Sequence, residues 1–179
     1  MSLLTATLVP AALLLALGFP LLLNHSGFIA TLKALPRSTT AAYLFFGTGA
    51  AWFLYAIWHL SPADFGEYRG WLLLGFGAVA GLSFRSVPDF LAVRGLCALV
   101  LLGAMPLLDA AYMQFDQPQR LFMATLVYVA LALAIWLGAQ PWRLRDFLGW
   151  LFARPGRARG FGGVIAAYGL LLGVVAFTY

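Results

Sequence analysis

Apolar runs of about twenty residues, each closed by a proline, a glycine or a polar cluster, set the pattern of the chain. At 1.5 Å per residue, about 20 helical residues cover a ~30 Å hydrocarbon layer, so each run is a candidate membrane span. On this reading the chain is all-α: a polytopic membrane protein whose single integral membrane domain, 1–179, is a six-transmembrane-helix bundle. The spans fall at 3–23, 40–60, 62–84, 88–113, 118–140 and 161–179. Pro10 and Pro20 should bend the first and Pro106 the fourth. The first run has no basic residue before it and no small-x-small cleavage site after Leu23, so it reads as a retained helix rather than a removed signal.

Two shorter stretches repeat apolar residues at helical spacing among charged ones. Phe28, Ile29, Leu32 and Leu35 surround Lys33. Leu144, Phe147, Leu148, Leu151 and Phe152 follow i, i+3, i+4, i+7, i+8, with Arg143, Arg145 and Asp146 off the stripe. These predict amphipathic helices at 28–35 and 143–153, lying in the membrane interface.

The breakers between runs carry helix-start chemistry. Ser61-Pro62-Ala63-Asp64 and Ser86-Val87-Pro88-Asp89 each offer a capping hydroxyl, a proline in the first turn and an acid near the positive helix end. They predict starts at Pro62 and Pro88. Asp116–Gln119 offers a third cap, Pro141 ends the fifth helix, and Arg154–Gly160 turns the chain into the last.

Composition agrees with the pattern. The chain is 63% hydrophobic and 9% charged, with mean hydropathy +0.92, where soluble domains carry about 25% charged residues. The net charge of +5 does not point to nucleic acid, because the basic residues gather in the breaks between spans. With six crossings, Lys33, Arg37, Arg85, Arg94, Arg143, Arg145, Arg154, Arg157 and Arg159 share one side, and Arg69 and Arg120 the other, nine against two. The basic side marks the cytoplasm, which puts both termini outside it. Ten arginines against one lysine suggest a GC-rich bacterial source and hence a bacterial inner membrane.

Candidate chemistry is sparse. Arg94 and Asp109 are the intramembrane polar residues, about 22 Å apart along one helix, too far for an ion pair. Either they line a polar route, or Arg94 reaches cytoplasmic phosphates and Asp109 bonds a neighbouring helix. His59, Asp64, Glu67 and Asp109 belong to the outer side and form a candidate cation site, though no metal-binding motif joins them. His25 and His59 belong to opposite faces, which argues against a haem. Gly77 and Gly81, and Gly169 and Gly173, each four apart, offer flat faces for helix packing. Arg143, Arg145, Arg154, Arg157 and Arg159 are candidates for binding anionic lipid headgroups.

A single cysteine, Cys97, excludes a disulfide framework. No nucleophile elbow or phosphate-cradling glycine loop is present, so no catalytic residue, metal or cofactor is assigned. The expectation is a non-enzymatic structural or assembly subunit, in a homo-oligomer or larger membrane complex, packing through its glycine faces. The alternative is a small ion, proton or solute channel or transporter using Asp109 and its outer-side neighbours.

Overall fold

The computed structural model describes residues 1–179, with eight α-helices and no strand. They are α1 (Leu3–Leu22), α2 (Ser26–Ala34), α3 (Thr39–Trp58), α4 (Arg69–Ser86), α5 (Leu91–Ala111), α6 (Arg120–Ala139), α7 (Trp142–Leu151) and α8 (Pro155–Ala176). Five of them, α1, α3, α5, α6 and α8, are long and apolar enough to cross a membrane. α4 falls short: its 18 residues begin on Arg69, carry Arg85 in the last turn and include Gly70, Gly75, Gly77 and Gly81. Large apolar side chains such as Leu13, Tyr43, Trp71, Ile135 and Val164 lie exposed along the helices, as a chain solvated by lipid would have them.

Contacts divide the chain into two compact units, residues 1–33, 103–133 and 145–179, and residues 34–102 and 134–144. In the first unit α1 and α8 pack antiparallel. Gly18 meets Gly162 and Ala166, while Gly169 meets Ala11, Leu14 and Leu15. Small residues at 162, 166 and 169 recur on one helix face and let the backbones approach. The core there joins Ala6 and Ala11 of α1, Ala104, Ala110 and Ala111 of α5, Met123 and Val127 of α6, and Leu172 of α8. Thr7, fully buried, bonds the Tyr179 hydroxyl at 3.1 Å and ties the two ends of the chain together.

In the second unit α4 runs antiparallel to α3. Tyr43 stacks on Phe84 with ring centroids 4.8 Å apart, and Phe53 meets Phe76 edge-on at 5.1 Å. The first half of α5 runs parallel to α3: Gly95 abuts the backbone of Phe45 and Phe46, and Gly49 faces Ala98 and Leu99. Two small clusters complete it, Ala42 with Leu91 and Ala92, and Val93 with Cys97 and Ala134.

Several boundaries differ from the sequence pattern, each for a local reason. The helix expected from Pro62 begins at Arg69. Pro62–Asp64 forms one 3₁₀ turn, closed by Phe65 in the left-handed region (φ 64°) and by the Gly66 amide donating to the Ser61 carbonyl at 2.9 Å. That six-to-one bond is a helix-stop motif, so the turn ends as soon as it starts. Gly66 is required here, since a β-carbon would sit 2.5 Å from the Ser61 oxygen. Ser61 turns its hydroxyl to Asp64 Oδ2, 2.8 Å away, instead of capping.

The helix expected from Pro88 begins at Leu91. α4 continues through Ser86, so that residue has helical geometry and cannot take the extended conformation of a cap. Phe90, at φ 59°, supplies the carbonyl that accepts from Val93 and Arg94. The last helix begins at Pro155, with Arg154 extended before it, so Arg157 and Arg159 lie in its first turns and not in a loop. Proline at the first helical position is preorganised for that start.

Candidate functional site

The new boundaries move both ionisable residues of α5 to its ends. Arg94 stands three residues after the first, Leu91, and Asp109 two residues before the last, Ala111. Both are exposed. Neither has a hydrogen-bonded or ionic side-chain partner, so Asp109 does not serve as the hydrogen-bond acceptor of a neighbouring helix in this chain. Arg94 has a stem long enough to carry its charge into the headgroups. Asp109 sits in a last turn whose carbonyls are already met by a cation: Arg120 Nη1 donates to the Ala111 oxygen at 3.0 Å, with its guanidinium 4.8 Å from the Phe115 ring.

His59, Asp64, Glu67 and Asp109 do not assemble, and no group of three or more His, Cys, Asp or Glu side chains gathers anywhere in the chain. Each of the first two has a local partner instead. His59 Nδ1 donates to the Tyr55 carbonyl at 2.9 Å, and Asp64 accepts from Ser61. Glu67 lies exposed in the second 3₁₀ turn. These short-range bonds are cheaper than converging four residues drawn from four segments.

The glycine faces divide. Gly169 is packed tightly against α1, with a β-carbon placed there 3.1 Å from the Ala11 oxygen. Gly77, Gly81 and Gly173 have nothing within 4 Å of where a β-carbon would stand. The closest helix–helix approaches are at Gly18, Gly162 and Gly95, which the GxxxG spacing does not pick out. Their signal is subtler: Gly162, Ala166 and Gly169 share a stripe, and Gly95 lies at i−3 from Ala98.

Of the arginines predicted to meet headgroups, Arg143, Arg145, Arg154 and Arg159 are exposed. Arg143 Nε bonds Gln140 at 3.0 Å, and Arg145 pairs with Asp146 at 2.8 Å. Arg157 folds back on α7, donating to the Trp150 carbonyl at 3.1 Å with its guanidinium 4.6 Å from the Trp150 ring centroid. α7 turns Leu148 and Leu151 inward and its charges outward, as an interfacial helix does.

One feature has no counterpart in the sequence reading. Between α3, α4 and the first half of α5 runs an apolar groove of about 340 Å³, open to the side and lined by Gly49, Ala50, Ala80 and Ala98 among larger residues. No protein-family model, curated protein or solved structure matches the chain.

Proposed function

We propose that this chain is a non-enzymatic, six-crossing subunit of a bacterial inner membrane, with both termini outside the cytoplasm, that binds another membrane helix through α4. The partner helix comes from a second copy or from another subunit of a membrane complex. One observation carries the association. None of the 18 residues of α4 is buried, and its Gly77 and Gly81 meet no neighbour. A helix ending on arginines at both sides, with four glycines, gains little from lipid alone. A second backbone laid on the 77–81 face would supply the dispersion contacts that hold membrane helices together.

Packing directions support the sixth crossing. α3 is one of the five spans long and apolar enough to cross, and α4 is the helix that returns along it. Its antiparallel run along α3, from Phe53–Phe76 to Tyr43–Phe84, supports the same reading.

The test is native mass in membrane-derived nanodiscs, with Gly77→Leu and Gly81→Leu beside the wild type. The wild type should run as an assembly heavier than one 19.4 kDa chain, and both variants should shed that mass while keeping their helical circular dichroism. A wild type that runs as a single chain, unchanged by either substitution, would sink the proposal.

A further inference from the structure

The groove between α3, α4 and α5 has an apolar interior and a basic end, and we infer that it holds one acyl chain of an anionic phospholipid whose phosphate meets Arg85 and Arg94. The small residues Gly49, Ala50, Ala80 and Ala98 keep the three helices from filling the space between them. Two aromatic pairs prop α3 and α4 apart at either end, Phe53 with Phe76 and Phe46 with Phe84. The resulting groove, about 340 Å³, is apolar along its length and open to the side. Its apolar lining, with arginines at one end, suits a flexible hydrocarbon chain that carries an anionic headgroup.

Arginines flank the Phe46–Phe84 end. Arg85 follows Phe84 directly, and Arg94 precedes Gly95, which packs on the Phe46 backbone. Arg94 also lies at i−4 from Ala98 and i−7 from Leu101, both of which line the groove, so the three share one face of α5. Side chains on a helix lean toward its N-terminus, which carries the Arg94 guanidinium past the groove mouth toward the interface. Arg37 joins them from the turn before α3, its guanidinium 5.8 Å from the Phe90 ring. All three arginines are exposed, and Arg85 and Arg94 have no hydrogen-bonded or ionic partner. Asp89 is the acid in this turn, and no ion pair joins it to any of them. The end of the groove is thus positive and unsatisfied where a phosphate would lie.

This inference rests on the chain being in a bilayer, and not on association through α4, which Gly77→Leu tests by a different readout. The experiment is native mass spectrometry of the full chain in detergent, titrated with dioleoyl-phosphatidylglycerol or dioleoyl-phosphatidylcholine. An arginine beside an anionic headgroup contributes about fivefold in affinity, so two should give phosphatidylglycerol roughly a 25-fold advantage. Arg85→Gln with Arg94→Gln should erase that advantage. Ala98→Phe and, separately, Ala50→Phe should fill the groove and remove bound lipid of both kinds, with thermal melting confirming that at least one of them folds. Equal retention of the two lipids by the wild type overturns the inference, as does undiminished retention in a folded groove-filling variant. A disulfide from Leu101→Cys to a second polypeptide in native membranes would overturn it in favour of a protein occupant.

Discussion

Gly18 and Gly162 face each other across α1 and α8 so closely that a β-carbon on either would lie 2.9 Å from the other's carbonyl oxygen. The approach is reciprocal, and both neighbours are backbone, which cannot swing aside as a side chain can. Gly18→Leu or Gly162→Leu should therefore force the helices apart and cost at least about 1–3 kcal/mol, the range for overpacked cores. Gly173→Ala on the same α8 is the control: nothing lies within 4 Å of its β-carbon, and alanine is the better helix former by roughly 0.8–1.0 kcal/mol. Thermal unfolding in detergent should rank Gly173→Ala at or above wild type and both leucine variants well below it. Equal melting temperatures for all four would remove the α1–α8 packing described above.

Thr7 and Tyr179 form the second link between the chain ends, and their roles are unequal. Thr7 Oγ1 donates to the Leu3 carbonyl at 3.0 Å, which leaves its lone pairs to accept from the Tyr179 hydroxyl at 3.1 Å. Tyr179→Phe removes one donor and leaves Thr7 still bonded to Leu3, so it should cost about 0.5–1.5 kcal/mol. Thr7→Val removes the shared atom and strands the tyrosine hydroxyl, so it should cost as much or more. The combined variant should cost less than the sum, because the second change removes a group the first left unpaired. Additive losses in a chemical-denaturation cycle would count against a direct bond.

Helix existence was legible from apolar periodicity, since each expected span has a helix near it and the two expected interfacial helices fall at α2 and α7. Boundaries failed where one local signal had two outcomes. Ser61-Pro62-Ala63-Asp64 carries every mark of a helix start, yet a left-handed Phe65 stops it after one turn, and nothing in the identity of Phe65 announces that conformation. Ser86 could cap only if α4 ended before it. For the candidate site the limit is different: distance along a sequence does not say which side chains converge, and His59, Asp64, Glu67 and Asp109 do not. Asp109, expected one or two turns from its helix end, lies two residues before the last of α5 on an exposed edge. The groove was not legible at all, because it is made of what glycine and alanine leave empty on three separate helices.

Asp109 provides a direct test between the assembly and transport readings. A carboxylate in the last turn of a helix faces the negative end of its dipole, at a cost of about 0.3–1 kcal/mol. Asp109→Asn should therefore leave stability unchanged or slightly raised. Proteoliposomes carrying the wild type should show no proton, sodium or potassium flux above empty vesicles, and the variant should match them. Flux from the wild type that Asp109→Asn abolishes, with helicity intact, would replace the assembly reading with a transport one.

Topology separates six crossings from five, but only at certain positions. If α4 did not cross, charge would favour a chain with Arg69, Arg85, Arg94, Arg143, Arg145, Arg154, Arg157 and Arg159 on the cytoplasmic side, and Lys33, Arg37 and Arg120 outside, eight against three. Nine against two is the better split, but by a narrow margin. Both arrangements put Phe115 outside and Arg157 inside, so labels there decide nothing. They part at Glu67: with six crossings the 59–68 segment is outside, and with five it is cytoplasmic together with Val87. In a Cys97→Ala background, Glu67→Cys should react with an impermeant maleimide on intact cells, and Val87→Cys only after permeabilisation. Ser2→Cys should behave like Glu67→Cys, because the two spans between them, α1 and α3, return the chain to the side it started from. Protection of both Ser2→Cys and Glu67→Cys in intact cells, with Phe115→Cys still labelled, would establish five crossings and leave α4 lying along the cytoplasmic face.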